Sequence, residues 1–467
     1  MTGLAAFKAQ PDQGAADTAF KPEWAVGDGR VPVGRYIDPA FARLEAERLW
    51  FRVWQMACRI DQVPEIGSYT VYDILDQSIV VIRVDVDTVK AYHNVCPHRA
   101  TALAVGSGRF QIGSIVCPFH GWRWDLDGNC TYLPARDEFG AGCVADAEVA
   151  LREVHARVWA GTVYVSLAKD PEPFDQFVAP VAELVDGVCM ADMRFYWHLQ
   201  IRVNANWKIA QEAFMEAYHV AQTHPQLVNG LTHEENGKLY TYETFEHGHG
   251  LFQSGGVNAM GRIPLERMRT MSREQQAEAL IRMLTSLETG QDAQVHADDI
   301  EVALAMADMP LADDALVGRE FQRVIREHYR AKGRAIGDFE AMAKVTDMHI
   351  FPHVTFLPML GNLLMYRVRP SRDNDPDWCI FDMYALRSYA EGETPPAWET
   401  GYPEGDLTKA KNWYLIPSQD FGSILRQQQG MHSLGLEAAM LAGHQESIIF
   451  NSHREVDRYL QEAPSRA

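Results

Sequence analysis

The chain contains no apolar run of 18 or more residues, the length from which a membrane-spanning helix is read, and its opening MTGLAAFKAQPDQGAADTAF lacks the apolar core of a secretory signal. A cytoplasmic protein with no membrane partner is the resulting expectation. Positive charge is scarce: 43 Lys and Arg face 63 Asp and Glu, a formal net charge of −20. Phosphate backbones are bound by basic surfaces, so this balance argues against a nucleic-acid partner. Cysteine is sparse too, and seven residues, an odd number spread widely, do not read as a disulfide framework. No internal repeat or low-complexity tract occurs. Two redox motifs are also missing: no G-x-G-x-x-G follows a strand-like run, and no C-x4-C-x2-C spacing occurs. The chain is therefore not expected to oxidise NAD(P)H unaided.

What is present, 467 residues of which 47% are hydrophobic, suffices for about two or three domains. The first 30 or so residues, rich in Ala, Gly, Asp and Pro, read as a mobile arm. DPAFARLEAERLWFRVW then has a helical pattern, with Asp38 placed to cap it and Pro39 in its first position. From about Tyr69 to Leu167 the pattern is short β-branched and aromatic runs (YTVYDI, SIVVIRV, VKAYHNV, VWAGTVYVSL), which predict an all-β module. Beyond Pro171 helical periods return over 206–224 and 272–288. In the latter, Ser272 and Gln275 have capping-box spacing and Leu280, Ile281, Leu284 and Leu287 form one stripe. HIFPHVTFL, NLLMYRV and DWCIFDMYAL are strand-like, so the second half is α+β.

Inside the β module, residues 96–124 hold two echoing fragments, C-P-H-R and C-P-F-H-G-W. Each offers one thiolate and one imidazole: Cys96 with His98, and Cys117 with His120. Structural zinc sites group ligands as C-x2-4-C and H-x3-5-H, whereas eighteen residues separate His98 from Cys117 here. A Rieske [2Fe–2S] cluster instead needs two thiolates on one iron and two imidazoles on the other. Two loops giving one of each would clasp it from both sides. Pro97 and Pro118 stiffen the loops, while Gly121, Trp122 and Trp124 supply a tight turn and an apolar lid.

A further constellation lies in NWKIAQEAFMEAYHVAQTH, residues 206–224. At spacings of four and three, Glu212, Glu216 and His219 share a helical face. His224 lies about 140° around an ideal helix from His219, so the two rings converge only if the helix distorts. Pro225 disfavours helical geometry at His224 and supplies a cause. Two ordinary, satisfied polar histidines remain the alternative reading.

The Cys/His constellation closely resembles the cluster motif of the Rieske-type ring-hydroxylating oxygenases, C-x-H-R-G followed by C-x2-H-G-W. The stretch 206–224 is similar to the same family's mononuclear iron motif, N-W-K-x3-E-N-x2-D-x-Y-H-x4-H. Three departures stand out: Ala100 replaces a usual Gly, Ala213 a common Asn, and Glu216 a common Asp. Ala at a position needing positive φ would be strained, so a different local turn is expected at 100. The Glu is similar to some quaternary-amine demethylating members.

The resemblance implies a Rieske module (51–168) inserted near the N-terminus of an α+β, helix-grip-like catalytic domain with an antiparallel sheet (169–467, with arm and helix 1–50 belonging to it). It implies His219 and His224 as iron ligands and, by similarity of PSQDFGSILRQQQGMHS to the family's late Asp-containing helix, Asp420 as the third. The rival role for Asp420 is a first-turn carboxylate in a helix capped by Ser418. Glu216 would orient His219 and bridge it to His120 of a neighbouring copy. The implied system is a terminal oxygenase acting with O2 on an organic, aromatic substrate. A separate NAD(P)H-dependent reductase or ferredoxin would feed it, in a homotrimer with or without a small β subunit. Dihydroxylation, hydroxylation and demethylation all stay open. A non-catalytic Rieske electron carrier is the alternative from another class.

Other residues carry weaker expectations. Cys58, Cys130, Cys143, Cys189 and Cys379 lack ligand spacing and read as packing residues. His349 and His353 sit in a strand-like run as polar residues, and His247 and His249 suggest a loop near substrate. Phe214, Met215, Phe351 and Phe356 are candidates for an apolar pocket, with the core as the favoured reading. The charged segment 264–337 reads as an insertion capping the active site.

Overall fold

The computed structural model describes residues 19–139, 144–228, 230–254, 263, 265–307, 316–337 and 345–462. Cys143, Pro264 and the first part of the expected arm lie outside these. The rest of that arm is not loose. Trp24 is buried edge-on against Phe41, and Arg30–Pro32 pairs antiparallel with Ala438–Met440. Asp38 caps the helix Pro39–Glu45 by accepting from the Ala40 N–H.

Among the described residues the strands of the first half form a seven-stranded and a three-stranded sheet. The larger begins at Gln55–Arg59 and ends at Thr162–Ser166, which pair with each other and close the series. The smaller, Ser114–Val116, Arg123–Asp125 and Cys130–Tyr132, carries one of the two Cys/His loops. Its core includes Tyr92, Ile115, Trp122 and Trp124. The second half is built on an eight-stranded sheet. Its long strands, Met193–Val203, Asn362–Pro370 and Cys379–Ser388, pair antiparallel, and helices pack on them. Among the described residues no helix is long and apolar enough to cross a membrane.

Buried polar side chains join the two halves. Arg367 donates to the carbonyls of Met56 and Ala57, and Arg369 to that of Asp73. Both pair with Asp382, whose carboxyl the two guanidiniums hold well below the usual range against the opposing effect of burial. His353 belongs to the same joint. It sits in the turn between Asp347–Ile350 and Val354–Met359 rather than in a strand, and its Nε2 accepts from the Met56 N–H at 2.9 Å. Burial holds its pKa well below the ordinary value.

The loop expected near substrate turns out to be structural. His249 is completely buried, donates from Nε2 to the Phe177 carbonyl at 2.8 Å and accepts the Phe351 N–H on Nδ1. Burial pushes its pKa down to about 4. His349, which pairs across the sheet with Gly250, is also buried, and burial holds its pKa well below the ordinary value. Cys58 and Cys379 are buried as expected, Cys130 and Cys189 half-buried, and all four are free thiols. Met215, Phe351 and Phe356 are core residues.

Candidate active site

The two Cys/His loops are near-copies of one another. In the first, the Ala100 N–H donates to the Cys96 carbonyl (3.0 Å) and the Cys96 N–H to the Thr101 carbonyl (2.8 Å). In the other, Gly121 donates to Cys117 (3.1 Å) and Cys117 to Trp122 (2.9 Å). Such a turn needs a left-handed residue four after the cysteine. Gly121 takes φ +73° there, and Ala100 takes φ +58° at the equivalent place. The altered turn expected from Ala100 does not occur. The turn is kept, and Ala100 bears the strain of a Cβ in the left-handed region.

The donors segregate by depth. Cys96 and Cys117 are buried, whereas His98 is half-buried and His120 exposed. Burial pushes the Cys96 thiol up, and the neighbouring Cys117 thiol adds to this while the His98 N–H opposes it. The two rings lie 4.7 Å apart, centroid to centroid, and Trp122 stacks flat on His98 at 5.0 Å. Sulfurs inside and imidazoles outside suit a cluster with a thiolate iron and a histidine iron. A single tetrahedral zinc suits the site poorly. Among the described residues, the one set of three or more such donors within 4.8 Å is elsewhere, at His219, His224 and Asp420.

That other site does not lie on one helix. Asn206 caps the helix Trp207–Glu212 and ties its start to the Tyr36 and Pro376 carbonyls. Lys208 is buried against Glu45, at 2.8 Å from both carboxylate oxygens. The N-W-K stretch is thus an anchor. The helix then breaks, and another short helix, Val220–Thr223, lies between the histidines. The distortion that lets the rings converge is at 213–219, not only at Pro225. It also separates the expected Glu212, Glu216, His219 face. Glu212 turns away to the Tyr36 hydroxyl (3.1 Å) and His453 Nε2 (2.9 Å).

Glu216 stays with His219. Its carboxylate accepts from His219 Nδ1 at 2.7 Å and from the His219 N–H at 3.0 Å. His219 Nε2 then faces Asp420 Oδ1 at 3.7 Å. His224 donates from Nδ1 to Gln419 Oε1 at 2.9 Å, which leaves its Nε2 lone pair 2.8 Å from Asp420 Oδ1. A metal ion, or a second proton on His224, would satisfy these two facing acceptors, and two imidazoles with a carboxylate, His219 half-buried and the other two buried, are the donor set of a non-haem Fe(II) site. Asp420 is not a first-turn residue. Its helix, Leu415–Met431, begins earlier than expected with Tyr414 at the N-cap, and Ser418 donates to the Leu415 carbonyl instead of capping.

The trio forms part of the wall of a cavity of about 60 Å³. Phe214 lines it, as do Leu287, Gln291 and Gln294 from the described part of segment 264–337. Tyr240, Phe252, Asp347 and Tyr366 complete the polar and aromatic wall. Burial, with Asp420 and Asp347 nearby, raises the Tyr366 hydroxyl well above its ordinary pKa. Gln291, Gln294 and Gln419 gave no signal in the sequence, because a lone glutamine has no diagnostic spacing.

Residues 53–152 match the family model of the Rieske [2Fe–2S] domain and residues 190–462 that of the ring hydroxylating alpha subunit (catalytic domain). The glycine betaine monooxygenase oxygenase subunit of Chromohalobacter salexigens is 31% identical over 44% of this chain and 45% of its own length. The chloroplastic choline monooxygenase of Spinacia oleracea is 29% identical (48% and 51%). The 2-aminobenzenesulfonate 2,3-dioxygenase alpha subunit of an Alcaligenes species is 26% identical (44% and 52%). The chain thus spans about half the length of the curated relatives it matches. Two solved structures share the fold at 15% identity. One is a quaternary ammonium Rieske monooxygenase described with carnitine oxidation and inter-subunit electron transfer (TM-score 0.62, 92% and 95% covered). The other is a naphthalene 1,2-dioxygenase with indole bound (0.66, 96% of each). The two domains imply a Rieske cluster and a mononuclear iron, and the two donor sets found here fit them. With a Rieske domain followed by a catalytic domain matched over more than half its length, the chain belongs to the ring-hydroxylating oxygenase alpha-subunit family.

Proposed function

We propose that the chain is the terminal oxygenase of a Rieske oxygenase system, using O2 to hydroxylate, dihydroxylate or demethylate a small organic substrate. In this reading Cys96, His98, Cys117 and His120 hold the cluster in a domain spanning 51–168, and His219, His224 and Asp420 hold iron in a catalytic domain formed by 1–50 and 169–467. The carrying observation is the trio of metal donors within 4.8 Å of one another in the wall of a cavity. A mere electron carrier has no use for either. Iron bound there supplies O2 activation. The chain's own contribution is to fix both rings through their Nδ1 atoms and keep Asp420 buried.

Electrons come from a separate NAD(P)H-dependent reductase or ferredoxin. They pass between copies in a homotrimer, with or without a small additional subunit. Support lies in exposure: His120 stands at the surface beside Phe119 (56% exposed), and Tyr218, two residues after Glu216, is 47% exposed. In the assembly Glu216, bound to His219, meets His120 of the neighbouring copy.

The lining includes three carboxylates, Glu216, Asp347 and Asp420, and no Lys or Arg among the described residues. With Asp420 committed to iron, Glu216 and Asp347 leave the lining acidic, which favours a substrate bearing a cationic group. With the glycine betaine and choline relatives, this favours N-methyl quaternary amines over aromatic hydrocarbons. The test is a product screen with a reconstituted reductase. Quaternary amines are expected to release formaldehyde in step with O2 uptake, with both lost in His224→Ala. Absence of product from every class, with a cluster that still reduces an external acceptor, favours the electron carrier.

A further inference from the structure

We infer that Gln419 is a positioning residue of the metal centre, the neutral counterpart of Glu216. The inference rests on reading His219, His224 and Asp420 as the ligands. An amide oxygen can only accept, so the 2.9 Å contact from His224 Nδ1 to Gln419 Oε1 fixes the proton on Nδ1 and leaves Nε2 for the metal. Gln419 and Asp420 are consecutive on one helix, so a single dipeptide addresses both nitrogens of one ring: the amide on Nδ1, the carboxylate on Nε2 at 2.8 Å. Gln226, in the turn just after His224, donates to the same Gln419 oxygen at 2.8 Å. That bond stitches the loop carrying one ligand to the helix carrying another.

The two imidazoles are thereby made unequal. His219 donates to a charged carboxylate three residues upstream, whereas His224 donates to a neutral amide almost 200 residues away in sequence. A carboxylate partner raises the basicity of a metal-bound imidazole more than an amide does. The centre therefore has a charge-coupled histidine on the Glu216 side and a rigidly held, neutral-partnered one on the Gln419 side.

The test uses the full chain with its cluster retained and its mononuclear iron removed by a chelator, titrated with Co(II) in competition with another chelator and followed by visible bands. Gln419→Leu is expected to weaken Co(II) binding by about 10- to 100-fold, and Gln419→Glu, which keeps the acceptor, to restore it. Gln226→Leu is expected to cost about three- to tenfold; it carries the test where Gln419→Leu does not fold. A purely structural glutamine would lower thermal stability without moving the affinity of the folded protein. Affinity within twofold of wild type in Gln419→Leu or Gln226→Leu overturns the inference, as does a loss that Gln419→Glu fails to recover. If His224→Ala binds Co(II) as wild type does, the ligand assignment itself has failed, and the inference with it.

Discussion

On the proposed assignment the cluster loops and the iron site solve the same problem, holding metal with few ligands, by different routes. Each cluster loop closes on itself: two backbone bonds and a left-handed residue form a turn within six residues, and the later loop repeats the earlier one. The iron site has no such local closure. His224 and Asp420, 2.8 Å apart, are separated by 196 positions, and the helix bearing the histidines has to break for the rings to meet. The cluster geometry is therefore written in short-range turn chemistry, which tolerates even an alanine in a left-handed position. The iron geometry depends on how a distant helix packs.

Removing ligands probes this contrast most severely. Purified protein should hold about three irons and two acid-labile sulfides per chain. Cys96→Ala or His120→Ala should abolish the visible absorption of the cluster. His219→Ala, His224→Ala or Asp420→Ala should instead remove the mononuclear iron and turnover while the EPR signal of the reduced cluster persists. Loss of both sites from one ligand variant would show that they are not built independently.

Next in size is Glu216→Gln. Both metal sites should survive, because the amide can still partner His219, but single-turnover oxidation of the reduced cluster should slow by at least about tenfold, the effect expected of losing an orienting carboxylate. An unchanged rate would remove Glu216 from the path between copies.

Acid should separate the fold from the cluster loops. His249, pushed to about 4 by burial, stays neutral when folded but gains a proton when unfolded, as do the depressed His349 and His353. The unfolded chain then binds more protons as pH falls below the ordinary histidine value of about 6.5. Stability should drop by about 1.4 kcal/mol per pH unit for each such histidine, for His249 down to about pH 4. Chemical denaturation at pH 7, 6 and 5 reads this slope, and His249→Gln should make it shallower.

The smallest effect sharpens the likeness of the two loops. Ala100→Gly should stabilise the cluster domain by about 1 kcal/mol by relieving the left-handed strain, and Gly121→Ala should cost about the same. A methyl at 121 would meet no atom within 4 Å, so backbone strain alone is being measured. Thermal melts followed at the cluster absorption distinguish the two variants.

The sequence alone determined the candidate cluster donors, because Cys96, His98, Cys117 and His120 are paired within a few residues and a chain segment that short can fold only a few ways. Through the family resemblance of 206–224 it offered His219 and His224 as candidate iron ligands, and through strand and helix periods it carried the order of an all-β module before an α+β one. Tertiary packing decided the rest. Where the 206–224 helix breaks depends on Lys208 and Glu45 being buried together and on Glu212 being drawn to Tyr36 and His453, partners far away along the chain. His249 and His353 read as plain polar residues until the sheet and the joint between the two halves enclose them. Gln419 acquires its partner only when its helix meets the loop after His224, since a hydrogen bond between residues almost 200 positions apart leaves no periodicity in sequence to be read.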